Sequence, residues 1–175
     1  ANKKIKELNA PDRLAYNLYE IGDVYYVSGD VDSAIEYLKR SKDIQEELGN
    51  MPAVAYLFLE LGRCYVTKGD TGPVLDFIEK SISLSKEIND SDLSGWCQFW
   101  AGFVYYQEKD YETAVDKYMD KAIVLSKEIE NNSDLFRTAI YFLCLKELNR
   151  EYDLSEFHKL IEEEEDIDWS SNYYI

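Results

Sequence analysis

The chain has 175 residues, 46% of them hydrophobic, enough to fill one domain or one short array, and its net charge is −16. A field of that sign repels nucleic-acid phosphates and anionic lipid, so neither nucleic acid nor membrane is expected as a partner; it suits a basic partner, or simple solubility. No apolar run approaches the ~18 residues of a membrane span.

The cysteines, Cys64, Cys97 and Cys144, are odd in number and sit in apolar helical text. That usage fits free thiols in a core and a reducing compartment, so a cytoplasmic location is expected. His158 is the single histidine, too little for a zinc site or a base-and-nucleophile pair. No metal, no cofactor and no enzymatic activity are expected.

In chain order, residues 1–10 read as the tail helix of a preceding repeat, so the chain is expected to be a piece of a longer array. Residues 11–50 form the first complete unit. Leu18, Ile21, Val24, Tyr25 and Val27 recur at three- and four-residue steps, the stripe of a half-buried helix. Ser28-Gly29-Asp30 interrupts it, with Gly29 suited to the positive φ that closes a helix and Asp30 or Asp32 suited to cap the next. Ala34, Ile35, Leu38, Ser41, Ile44 and Leu48 then give a second stripe, so the unit is a helical hairpin.

Residues 51–90 repeat this text position by position. Pro73 falls in the first turn of the second helix, where its missing N–H costs nothing. Residues 91–131 form a third unit with one extra residue. "LSKEI" at 84–88 recurs at 125–129, an offset of 41 where the earlier offset is 40. A single insertion within a helix is absorbed as a π-bulge, expected here near Met119–Ala122. Residues 132–165 read as a degenerate capping repeat with helices at Leu135–Leu148 and Leu154–Glu164, and 166–175 as a tail. The carboxylate run at 162–168 lacks the spacing of a calcium loop and reads as a solvated end.

Gly22, Gly62 and Gly102 lie mid-helix, where glycine costs ~1 kcal/mol against alanine. Three such choices at one register imply close helix crossing, with Ala34, Val74 and Ala114 as the matching small surface. Tyr25, Tyr65 and Tyr105, one turn on, fill the space beside each contact. A fixed period of this size means stacked copies of one hairpin and an all-α fold.

This signature resembles the tetratricopeptide repeat. The matching residues are Leu18, Ile21-Gly22, Tyr25, Ala34, Leu38 and Ser41; then Phe58, Leu61-Gly62, Tyr65, Val74, Ile78 and Ser81; then Ala101-Gly102, Tyr105, Ala114, Tyr118 and Ala122, with Gln98 departing from the apolar position. The longer period is similar to that of arrays in Rap-type peptide sensors, MalT-like regulators and G-protein-signalling modulators. The resemblance implies an α-solenoid, a right-handed superhelix of antiparallel hairpins, whose first helices line a concave groove.

Groove positions by that resemblance are Tyr16, Tyr19, Asp23 and Tyr26; Tyr56, Leu59, Arg63 and Val66; and Trp96, Phe99, Phe103 and Tyr106. Aromatic side chains dominate interface energies, so Tyr19, Asp23, Tyr26, Leu59, Arg63, Trp96, Phe99, Phe103 and Tyr106 are the candidate partner-binding residues. Burial between neighbouring helices is the competing reading for part of this strip. Family members that clamp acidic tails use lysines and asparagines there; here only Arg63 could serve. The resemblance therefore implies a protein-interaction scaffold for an apolar or basic segment of a partner protein. The alternative is a peptide-sensing domain whose superhelical pitch changes on binding. A homodimer through the apolar array end at Ile5–Ala15 is a further possibility.

Overall fold

The computed structural model describes residues 10–128, 135–151 and 155. All of its elements are helices: α1 (Ala10–Val27), α2 (Val31–Glu47), α3 (Met51–Lys68), α4 (Val74–Glu87), α5 (Ser91–Gln107), a composite α6, and α7 (Leu135–Glu147). The composite α6 runs without a break through an α turn at Tyr111–Thr113, a π-helical segment at Ala114–Met119 and an α stretch at Asp120–Glu128. The expected Leu154–Glu164 helix, the segment Ile5–Leu8 and the 162–168 run lie outside the described residues, Ser155 excepted.

The turns that close α1 to α5 and α7 are built on one plan. Gly29, Gly49, Gly69, Asn89, Lys109 and Asn149 all have φ between 51° and 86°. The next residue's N–H reaches back to the carbonyl five residues earlier, as Asp30 does to Tyr25 and Asp110 to Tyr105. This closes the helix end and turns the chain back on itself. Asp30, Asp90 and Asp110 then cap the following helix, accepting from the N–H of Ser33, Leu93 and Thr113. Pro73 stands at the N-cap of α4, one residue before the helix, which has no side-chain cap.

The hairpins close where the glycines lie. A Cβ on Gly22 would stand 3.0 Å from Leu38 Cγ, and one on Gly62 would stand 2.6 Å from Ile78 Cδ1. One on Gly102 would meet Met119 Cγ at 2.6 Å and the Ala114 carbonyl at 3.1 Å. Ala34, Val74 and Ala114 are fully buried alongside. The hydroxyls of Ser41 and Ser81 add a tie across the hairpin, each donating to a first-helix carbonyl, Ala15 and Ala55, at 2.7 Å.

The extra residue sits one turn earlier than its expected place at Met119–Ala122. Leu38 and Ile78 lie 16 residues beyond their glycines, whereas Met119 lies 17 beyond Gly102. Met119, not Tyr118, therefore takes the role of Leu38 and Ile78. Tyr118 takes the place of Tyr37 and Phe77, stacking on Tyr105 with ring centroids 5.5 Å apart as they stack on Tyr25 and Tyr65. The wide turn at Ala114–Met119 takes up the added residue before the core contact is made, so the rest of α6 returns to register.

The core comes in three linked patches. Ala34, Ile35 and Leu38 pack with Leu57, Leu61 and Cys64. Leu59 and Val66, also on α3, pack with Ile78, Leu93 and Cys97. Phe99 packs with Met119, Ile140 and Cys144. Helix α3 is thus buried on two sides, as the middle of a stack must be. The result is an α-solenoid of antiparallel hairpins. No described helix is long and apolar enough to cross a membrane.

Candidate partner-binding site

The first helices α1, α3 and α5 share a face, and Arg63 is its centre. The guanidinium carbon lies 5.2 Å from the Tyr26 ring centre on α1 and 5.6 Å from the Trp100 ring centre on α5. Its Nη1 donates to both carboxylate oxygens of Glu60 at 2.8 Å. A planar cation stacked on two rings and held by one carboxylate is the geometry arginine provides and lysine does not. Nearby, Tyr26 and Thr67 share a hydroxyl–hydroxyl hydrogen bond of 3.1 Å that also links α1 to α3.

The pair is partly withdrawn from water, with side-chain exposures of 29% for Arg63 and 16% for Glu60. Burial pushes the Glu60 carboxyl up, aided by the Asp23 carboxylate and opposed by Arg63. Burial likewise raises the Tyr19 phenol, followed by the carboxylates of Glu60, Asp23 and Glu20.

Between α3 and α5 the same face opens into a cavity of about 360 Å³. Tyr56, Glu60 and Arg63 line one side, and Asp92, Trp96 and Trp100 the other. Tyr56 donates to Asp90 at 3.0 Å. Burial, then that bond, raises the Tyr56 hydroxyl to about 12, so it remains a donor at neutral pH. Two buried polar atoms of residues that line the cavity, Arg63 Nε and Asp92 Oδ1, have no hydrogen-bond partner.

The sequence-derived candidates divide. Tyr26, Arg63, Trp96, Phe103 and Tyr106 are partly exposed, as is Tyr19, and Asp23 is open to solvent. On α5 the rings form a ladder: Trp100 meets Phe103 edge-on at 5.5 Å, and Phe103 stacks on Tyr106 at 5.8 Å. Phe99 needs correction: at 1% exposure it is a core residue, because a first helix inside a stack is covered on both flanks. Val66 is buried for the same reason. Leu59, at 5% exposure, packs in the core and also lines the cavity.

Glu60, Asp92 and Trp100 are site residues that the groove periodicity missed. The Glu60–Arg63 spacing of three residues was a usable signal; the Trp100 contact crosses between helices and had none. Among the described residues no group of His, Cys, Asp and Glu could hold a metal ion. In the first two turns of α1, Leu14 and Tyr16 are exposed.

The class defined by this geometry is a helix-hairpin solenoid with an aromatic face along its first helices. Residues 13–87 match the family model for the tetratricopeptide repeat. The structure is similar to BtubC (BKLC) from P. vanneervenii, with a TM-score of 0.71 at 14% identity, over 98% of this chain and 70% of that one. It is also similar to a kinesin-light-chain-type protein of Podosopora anserina with nearly identical TPR-like repeats. That match has a TM-score of 0.67 at 18% identity, over 89% of this chain and 75% of the other. At such identities the likeness is one of fold. No curated protein matches the sequence.

Proposed function

We propose that the chain is a protein-interaction module whose inner face receives a segment of a partner protein, apolar or basic in character. Tetratricopeptide repeats generally mediate protein–protein interaction. The observation that carries the reading to this face is Arg63, stacked between Tyr26 and Trp100 beside an open cavity of about 360 Å³. Rigid rings set around a half-buried charge pair are what binding hot spots are made of. Phe103 and Tyr106 extend the surface toward the end of α5.

The test is selection of peptides from a random library on the immobilised protein, followed by rebinding to Arg63→Ala and Phe103→Ser variants. Binding of the selected peptides should fall by at least about tenfold, the equivalent of one hot-spot side chain. Unchanged binding to both variants removes the inner face from the reading.

A second reading, a peptide sensor that changes pitch, is favoured by one observation. Arg63 touches rings on both flanking first helices, so a guest that shifts it acts on the stacking itself. A peptide of about ten residues that makes the protein more compact in X-ray scattering supports the sensor; binding without compaction supports the scaffold.

A further inference from the structure

Buried polar atoms in folded proteins almost always find a partner, so each exception calls for an explanation. Three side-chain atoms among the described residues lack one, and two of them, Asp92 Oδ1 and Arg63 Nε, belong to residues that line the same cavity. One is a bare acceptor and the other a bare donor. Asp92 is not spent on capping α5, since Asp90 does that through the Leu93 N–H. Arg63 is already neutralised by Glu60 through Nη1. The cavity walls therefore carry two carboxylates against one guanidinium, an excess of one negative charge.

We infer that this cavity is a subsite for a basic side chain, lysine or arginine, of an extended partner segment, with the Asp92 carboxylate accepting from its cationic head. The inference rests on the reading that the inner face receives a partner segment. The rings of Tyr56, Trp96 and Trp100 line the remaining wall. They suit the aliphatic stem of such a side chain and attract its charge through their faces. The volume is near the lower end for a ligand site, the size for one side chain and not for a large cofactor. Asp92 and Trp100 lie eight residues apart on α5, about 12 Å along the helix axis. About three residues of extended chain cover that distance. A cationic guest also agrees with the net charge of −16, which speeds the approach of positive segments.

The experiment uses the full chain and three capped pentapeptides, Gly-Gly-Lys-Gly-Gly and its norleucine and glutamate counterparts, followed by the NMR signals of the Trp96 and Trp100 indoles. The lysine peptide should shift both indoles saturably, and the norleucine peptide should bind at least about fivefold more weakly. The glutamate peptide should leave both in place. Asp92→Asn should weaken the lysine peptide about tenfold, the scale of a charge-assisted hydrogen bond, and leave the norleucine peptide unaffected. The thermal midpoint of Asp92→Asn checks that the fold is intact, and Asp92→Ser serves as the second variant. Equal binding of lysine and norleucine peptides overturns the subsite while leaving the inner face as a docking surface. Full lysine binding by both Asp92 variants, or no indole shift with any peptide, also overturns it. Failure of the inner face itself is read separately, from the library-selected peptides.

Discussion

The second and third hairpins, α3–α4 and α5–α6, are the same design with one residue of difference. In the first of these, Gly62 faces Ile78, and Ser81 ties the second helix to the Ala55 carbonyl. In the other, Gly102 faces Met119, and the serine position is Ala122, which has no hydroxyl to make that tie. Val54 and Phe58 in α3 become Ser94 and Gln98 in α5, and a cleft of about 610 Å³ lies beside them against α4 and α6. The comparison teaches that the glycine contact is the part held constant. An added residue is tolerated because a π turn restores that contact, while the secondary ties and the packing behind it are free to change.

The sharpest way to break the comparison is to delete the exposed acid at the same register in each hairpin. Removing Asp76 from α4 rotates Ile78 and Ser81 by about 100° away from the core. It should cost at least about 4 kcal/mol by urea denaturation. Removing Asp116 from α6 closes the π turn and leaves Met119 on Gly102. Only the exposed Arg150–Asp116 pair is lost, a cost below about 1 kcal/mol. Equal losses for the two deletions would show that the π turn is not what absorbs the insertion.

Next come the glycines. Gly102→Ala would press on a backbone carbonyl at 3.1 Å as well as on Met119, whereas Gly62→Ala meets chiefly the tip of Ile78. The Gly102 change should cost roughly 1–3 kcal/mol. The Gly62 change should cost less, because the tip of Ile78 can move aside where a backbone carbonyl cannot, while helix propensity returns about 1 kcal/mol in both. Thermal midpoints rank the two.

The hairpins should behave alike toward base. Burial raises Cys64 and Cys97 to about 12. Unfolded thiols ionise near 9 (the ordinary value), so these groups favour the folded state below that pH. Their contribution is lost as pH rises from about 9 toward 12. Denaturant midpoints should fall across that window, and both thiols should resist a disulfide reagent at pH 8 until the protein is unfolded. Rapid reaction of the native protein would contradict their burial.

Smaller effects sharpen the same contrast. Ser81→Ala should cost about 1 kcal/mol, and Ala122→Ser should recover part of that by donating to the Gly95 carbonyl. Lys109, at φ 64°, replaces the glycine of the first two equivalent turns. Lys109→Gly should raise stability by up to about 1 kcal/mol. Calorimetry at matched pH distinguishes these changes from zero.

Much of the fold was legible in residue types. The glycine–tyrosine register gave the hairpins, and Gly29, Gly69, Asp30 and Asp110 marked the turns. The offset of 41 between the two "LSKEI" copies revealed an added residue, but the text between Ala114 and Leu125 resembles no other unit closely enough to locate it. The site was less legible. A period of 3.6 assigns a residue to a face, but it cannot say that Phe99 is roofed by α6 and α7 while Phe103 is not. Nor can it foresee that Arg63 bridges rings from two other helices. Such facts depend on how far neighbouring rods are offset, which no single helix encodes.

The main packing in this molecule runs from each helix to its near neighbours along the chain. Cooperativity is therefore local. The chain should not melt in one event but fray inward from its ends, with amide hydrogens of α3 and α5 exchanging last. A single unfolding free energy would then be an average over several nested openings, and a point change near one end would register only in the layer that contains it.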